Sequence, residues 1–144
     1  VIEERWVKKM GAHMSRIHFV NKMPFAEFLN VMKISDILLD SYPFGGCNSS
    51  MEAFRLGKIV ITLPGNMLNG RFTLGFYNKM GITDPVATSV DDYIDKSLLY
   101  GTNQTKRREL EQRILQKYNV LFYEQDSIHE WRKQMELSYL ERTK

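Results

Sequence analysis

A single cysteine, Cys47, in a chain of 144 residues excludes an internal disulfide, and a reducing, cytoplasmic setting is the expectation. No base motif lies near Cys47, so a nucleophilic thiol is not expected either. The sequence has no apolar run of the ~18 residues that a membrane span requires, and no basic start followed by an apolar stretch marks a secretory leader. The three histidines, His13, His18 and His129, are too scattered for a metal's ligand spacing. Charge of one sign is also in short supply: the formal net charge is +3. The densest basic cluster, "KRRELEQR" at 106–113, interleaves Glu109 and Glu111 with its cations, which reads as a solvated helix face; no nucleic-acid partner is expected. A slight positive excess does suit an anionic small ligand. Asn48-Ser49-Ser50 and Asn103-Gln104-Thr105 match the glycosylation acceptor pattern, which is too common by chance to carry weight.

What is present is ordinary for a globular domain: 43% hydrophobic, 12% aromatic and 26% charged residues. No repeat or linker divides the chain, so residues 1–144 are read as a single unit. Val1 stands where an initiator Met is absent, and the sequence runs at once into a helical pattern with Ile2, Trp6 and Met10 at four-residue spacing and Gly11 as terminator, so the chain is expected to be a piece of a longer one.

Three short β-rich runs then alternate with helices. "RIHFV" at 16–20, with His18 as a strand residue, precedes a helix opened by Pro24 and carrying Phe25, Phe28, Leu29 and Met32 on one face. "DILLD" at 36–40 precedes a helix near Ser49 that points Met51 and Phe54 inward. "KIVITL" at 58–63 reads as a buried third strand. Strands alternating with helices are parallel and joined by right-handed crossovers, so the fold class is α/β, Rossmann-like, with strands confined to about 16–63. Residues 66–144 read as mostly helical: Phe72, Phe76 and Met80 closed by Gly81; Val90, Tyr93, Ile94 and Ser97 behind a Ser89/Asp92 cap, with Asp91 in the same start; Leu110, Ile114 and Tyr118; and a last helix through Trp131 and Met135 behind the capping box Ser127-Ile128-His129-Glu130. The aromatic run "YNVLFYEQ" at 118–125 reads, with Trp131, as packing, since no basic groove accompanies it.

In an open α/β sheet the loops at the carboxyl ends of the strands carry the ligand. The one after the second run, "DSYPFGGCNSSMEAF", has Gly45 and Gly46 for close backbone approach, and Asn48, Ser49 and Ser50 as side-chain donors beside the unpaired N–H groups of a first helical turn. A helix N-terminus attracts anions, so a diphosphate fits; Glu52 in the first turn can accept bonds from ribose hydroxyls. The same residues fit a second account equally well. Ser49-x-x-Glu52 is a capping box, and Pro-x-Gly-Gly is plain turn chemistry. Arg71 in "NGRF", at another helix start on this edge, is a further candidate for a phosphate or sugar contact, or a surface arginine.

The stretch from about Arg16 to Gly81 resembles the C-terminal catalytic region of the O-GlcNAc-transferase-like glycosyltransferases, a family of GT-B fold that uses UDP-sugars. The resemblance rests on the Asp that ends the second run, the small-residue "GGCNSSMEA" loop, "GKIVITLPG" and the following "GR". It implies diphosphate binding by Gly46, Cys47, Asn48, Ser49 and Ser50, ribose binding by Glu52, and a base near Met23 and Phe28. It also implies metal-free transfer of a hexose or N-acetylhexosamine from UDP, with no cofactor, to an acceptor that is a protein or a glycan. The absence of an Asp-x-Asp triplet agrees with metal-free chemistry. This chain departs from the animal members, which carry His-Thr-Thr where Cys47, Asn48 and Ser49 stand, an Asp at Glu52, and Lys and His on the helix of Phe25 and Phe28. The family's diphosphate-contacting Lys and acceptor-facing domain lie upstream of anything matching Val1, so this chain alone is expected to be inactive. The rival readings are a GT-B enzyme of glycan or glycolipid synthesis and a non-catalytic binding module.

Overall fold

Two of the three β-rich runs pair. In the computed structural model, which describes residues 2–123 and 125–142, β1 (Leu38–Leu39) and β2 (Val60–Ile61) lie parallel, with Leu38 beside Val60 and Leu39 beside Ile61. The Leu38 and Asp40 N–H groups donate to the carbonyls of Ile59 and Ile61, both at 2.9 Å. Parallel neighbours cannot be joined by a tight hairpin. Here the crossover is α3 (Asn48–Arg55), which buries Ser50, Ala53 and Phe54.

On its far edge β2 meets two substitutes for a strand. Tyr77, fully buried on α4 (Phe72–Met80), donates its hydroxyl proton to the Val60 carbonyl and accepts from the Val60 N–H, each at 3.0 Å. One residue on, the segment around Val86 forms a parallel bridge: the Thr62 N–H donates to the Pro85 carbonyl at 3.1 Å, and the Ala87 N–H to that of Thr62 at 2.8 Å. This contact falls outside the 16–63 window expected to hold all strand structure.

The expected first strand, "RIHFV", is not formed. After α1 (Ile2–Met10) and a 3-10 turn over Gly11–Arg16, Ile17 is extended, but Phe19 and Val20 are exposed. Aromatic and β-branched residues favour strands only where a neighbouring strand supplies the ladder. Phe19 contacts Trp6 instead, ring centroids 5.7 Å apart. Trp6 and Met10 are nearly half exposed, so α1 packs no apolar face into the core; the Ile2 side chain lies outside the described residues.

The helices follow the expected pattern more closely. α2 (Phe25–Ile34) starts after Pro24. Gly81 closes α4 at φ +62, in the left-handed region that glycine enters without strain. α5 (Val90–Thr102) is capped by the Ser89 hydroxyl, which accepts from the Asp92 N–H, while the Asp92 carboxylate accepts from that of Thr88. In α6 (Gln104–Lys117) the cap is Asn103, which gives the first residue of the second glycosylation-like triplet a structural task. α7 (Gln125–Arg142) begins at Gln125, so Ser127 sits inside its first turn rather than at its cap, and none of its described residues is buried. Glu124 lies outside the described residues. Among those residues no helix is long and apolar enough to cross a membrane.

The core is one cluster in which Phe54, Ile59, Ile61, Tyr77, Ile82 and Ile114 are fully enclosed. Phe54 meets Tyr77 edge-on at 4.7 Å. The "KRRELEQR" cluster is more than a solvated face, because several of its charges fasten α6 to this core. Arg107 donates to the carbonyls of Tyr100 and Gly101 and pairs with Asp36 at 2.8 Å; Glu111 pairs with Lys58; Arg113 grips Asp84 with two bonds of 2.9 Å.

Tyr77→Phe strands a buried N–H and a buried carbonyl on Val60, and is expected to lower unfolding free energy by about 2–4 kcal/mol in denaturant titration. At the surface, the guanidinium of Arg113 holds the Asp84 carboxyl below its ordinary value. A depressed carboxyl stabilises the fold above its unfolded pKa of about 3.9, and that contribution is lost as pH falls through its folded value. Arg113→Gln should therefore weaken the protein at neutral pH and flatten the decline of its stability in acid, measured as Tm against pH.

Candidate functional site

The carboxyl edge of the sheet is built around Asp40, the residue that follows β1. Its carboxylate accepts the Gly46 N–H at 2.6 Å and the Thr62 hydroxyl at 2.8 Å, and its carbonyl accepts the Tyr93 hydroxyl at 2.9 Å. Gly46 is held from the other side as well: Thr73 of α4 donates to its carbonyl at 3.3 Å and shares a 2.8 Å bond with the Ser50 hydroxyl. A second loop backs the first. The Gly45 N–H donates to the Asn69 carbonyl, the Gly65 N–H to that of Gly70, and Gly70 lies directly against the Pro43 carbonyl.

These bonds divide the residues assigned to a diphosphate. Gly46 spends its N–H on Asp40, so it contributes room rather than a donor: a Cβ there would lie 2.7 Å from the Ser49 and Ser50 hydroxyls. Ser50 is buried and its hydroxyl is engaged with Thr73, which corrects its expected role as a side-chain donor. Asn48 and Ser49 are exposed, and Cys47, half-buried, is the N-cap residue. The first helical bond runs from the Met51 N–H to the Cys47 carbonyl at 3.1 Å, so the N–H groups of Asn48, Ser49 and Ser50 have no helical partner. A helix mouth with unpaired N–H groups is, as a general rule, receptive to anions.

The Ser49-x-x-Glu52 capping box is not formed. α3 starts one residue before Ser49, and its N-cap makes no side-chain bond. Ser49 and Glu52 instead share the wall of a crevice of about 440 Å³ with Phe25, Phe28, Asn48, Met51 and Phe122. A smaller hollow of about 210 Å³ between α2, β1 and α3 shares Phe28 and Ser49 with it. Together they fall in the size range of small-molecule sites. Phe28 is thus a crevice residue, 37% exposed, and not the core residue that its helical face would make it. Met23, half-buried just before Pro24, lies outside the residues that line either hollow.

Arg71 is exposed as the N-cap residue of α4, and its guanidinium donates to the Gly65 carbonyl at 3.1 Å. It braces the second loop and does not line the crevice. Phe122, which reaches Glu52's crevice from the end of the chain's last 3-10 turn, was hidden in an aromatic run that reads as packing; Tyr118, its edge-on neighbour at 6.0 Å, does pack against the core. Thr73 gave no sequence signal beyond a hydroxyl on an otherwise apolar helical face. Among the described residues no three His, Cys, Asp or Glu side chains gather as a metal site.

A glycine-bearing loop, an open helix mouth and a nearby acid at the carboxyl edge of a parallel sheet place the chain with the C-terminal catalytic regions of GT-B glycosyltransferases, of the O-GlcNAc-transferase-like kind. Residues 2–128 match Glycosyl transferase family 41, and the chain belongs to that family. Its relatives include the UDP-glucose:protein N-beta-glucosyltransferase of Actinobacillus pleuropneumoniae serotype 5b (strain L20), 23% identical over 122 residues, which are 83% of this chain and 19% of that protein. The probable UDP-N-acetylglucosamine–peptide N-acetylglucosaminyltransferase SPINDLY of Arabidopsis thaliana is 21% identical over 105 residues, 72% of this chain and 12% of that protein. Among solved structures, a mutant O-GlcNAc transferase of Thermobaculum terrenum superposes with a TM-score of 0.77 at 25% identity, over 95% of this chain and 26% of that one. The chain therefore spans no more than about a fifth of the length of these curated relatives.

The bracing of the two loops can be tested with a pair of glycines. Gly70→Ala drives a methyl group into the Pro43 carbonyl, whereas a methyl at Gly75, exposed in mid-α4, meets nothing within 4 Å. Gly70→Ala is expected to lower stability by about 1–3 kcal/mol, and Gly75→Ala to raise it by about 0.5–1 kcal/mol, both read from thermal melts.

Proposed function

We propose that this chain forms the donor-binding part of a glycosyltransferase that takes a sugar from UDP and passes it to a protein side chain. The observation that carries the reading is the crevice whose wall holds Asn48 and Ser49, at the mouth of α3, together with Glu52. In this reading the diphosphate lies on the N–H groups of Asn48, Ser49 and Ser50, aided by the side chains of Asn48 and Ser49 and by the space that Gly46 leaves. Glu52 accepts bonds from the ribose hydroxyls, and Phe28 offers its face to the base; Met23 stands behind that helix start, away from direct contact. UDP as the nucleotide and protein as the acceptor are supported by the names of both relatives, which carry different sugars on the same nucleotide. The sugar itself is left to residues beyond those that line this crevice.

The chemistry follows from the arrangement. Transfer breaks the bond between the anomeric carbon and the diphosphate, so negative charge grows on the departing phosphate oxygen. Fixed N–H dipoles aimed at that oxygen stabilise the charge as it forms, without the cost of reorienting water. The helix mouth thus supplies part of the positive potential at the departing oxygen, and in this reading no metal or cofactor takes part. A cytoplasmic setting goes with this reading, as does an acceptor-facing wall supplied by a further part of the same polypeptide.

Titration calorimetry with UDP tests the proposal on the protein at its natural length. Because Glu52 makes no cap, Glu52→Ala is expected to leave Tm within about 1 °C while weakening UDP binding roughly ten- to a hundredfold, the loss of one or two charge-assisted hydrogen bonds. A natural-length protein that shows no heat with UDP, or a Glu52→Ala variant that binds UDP as tightly as the parent, would remove the basis for the assignment.

A further inference from the structure

The bonds around Gly46 separate the site into two halves with different supports. The nucleoside half, Phe28 and Glu52, is carried by α2 and by the body of α3. The diphosphate half depends on how the chain enters α3. Gly46 makes that entry, and both of its peptide groups are fixed: the N–H by Asp40, just after β1, at 2.6 Å and the carbonyl by Thr73 of α4 at 3.3 Å. Asp40 is itself held by the Thr62 hydroxyl, so its carboxylate cannot swing without breaking a bond to the residue just past β2. Gly45 is pressed from the same quarter, since a Cβ there would come within 3.0 Å of the Asp40 carboxylate.

We infer that Asp40, opposed by Thr73, is a positioning residue for the diphosphate. It fixes the peptide plane at Gly46, and so the direction of the amides that follow; although it lies in the wall of the smaller hollow, its carboxylate is engaged by Gly46 and Thr62 and acts through the loop. This deepens the donor-binding reading above and rests on it. A carboxylate so close to an anion site works against binding unless its charge is occupied. Here two donors occupy it, and its oxygens are turned to Gly46 and Thr62. The arrangement serves geometry, and its signature is selectivity: the loss falls on the phosphates of a ligand and spares its nucleoside.

The test compares UDP with uridine as competing ligands, on the natural-length protein and its variants. Asp40→Ala frees the Gly46 peptide, and is expected to lower affinity for UDP at least tenfold while uridine stays within twofold. Asp40→Asn should recover most of the UDP affinity, because the amide oxygen can accept from Gly46 and the amide nitrogen can donate to Thr62. Thr73→Val removes the support on the other side. It is expected to give the same split at three- to tenfold, and decides the matter should Asp40→Ala fail to fold. A purely structural role would lower UDP and uridine affinity in step; that result, or unchanged UDP affinity in folded Asp40→Ala, overturns the inference while leaving the donor reading in place. If the parent protein itself does not bind UDP, the donor reading fails first and the inference goes with it.

Discussion

Asp40 is the point at which the sheet, the loop and the helical layer are tied to one another. Its N–H belongs to the β1–β2 ladder, its carbonyl to Tyr93 of α5, and its carboxylate to Gly46 and Thr62. One residue thus brings three parts of the chain to a common origin at the carboxyl end of β1. A part-buried carboxylate with several donors is a demanding arrangement, because removing one partner leaves the rest unsatisfied. That makes the end of β1 stiff, and a stiff strand end is what a loop needs if its amides are to point in one direction.

The sheet itself is narrow, and Tyr77 explains how it can afford to be. On the outer edge of β2, the Val60 N–H and carbonyl face a protein interior where water cannot reach them, and an unpaired backbone group there is costly. A phenol hydroxyl that both donates and accepts closes the account at that residue, and the 85–87 segment takes over at Thr62. Burial raises the Tyr77 pKa far above its ordinary value, so the hydroxyl keeps the proton that it must donate. The helix α4 that carries Tyr77 also carries Thr73. The support of the sheet edge and the support of the loop therefore move together.

Much of the helical part was legible because its signals are local. Gly81, Ser89 with Asp92, and the Leu110–Ile114 spacing each declare a helix boundary or face within a few residues. Strands are not local in that sense. "RIHFV" has the side chains of a strand and no neighbour to pair with, while Val86 has a neighbour in Thr62 and no run of β-rich residues to announce it. At the site, the loop and Glu52 were visible as residue types at a strand end, and the resemblance to a family gave them roles. Which hydroxyls face outward was not visible: Ser49 and Ser50 are alike in sequence, and only the helical turn decides that Ser50 meets Thr73 and Ser49 meets the crevice. Phe122 stayed hidden for a related reason, since its partner surface lies about seventy residues earlier in the chain.

The magnitudes also say what this crevice can and cannot do by itself. A helix mouth contributes about 0.3–1 kcal/mol to an exposed anion and up to ~2 when partly buried. Micromolar affinity corresponds to about 8 kcal/mol. Among the described residues no Lys or Arg lines the crevice; Glu52 brings negative charge to its wall, while the Asp40 carboxylate at the smaller hollow is engaged by Gly46 and Thr62. Stacking on Phe28 at about 1–3 kcal/mol and hydrogen bonds accepted by Glu52 at about 1.5–3 kcal/mol narrow the gap for the nucleoside, but they do nothing for the diphosphate. A double negative charge held near the Glu52 carboxylate calls for a cation, and Arg71, at a second helix start, is engaged with the Gly65 carbonyl. On the donor-binding reading, the amides at the mouth of α3 choose where a diphosphate lies and stabilise the charge that grows on it, while the bulk of its binding energy comes from a positively charged group outside this wall.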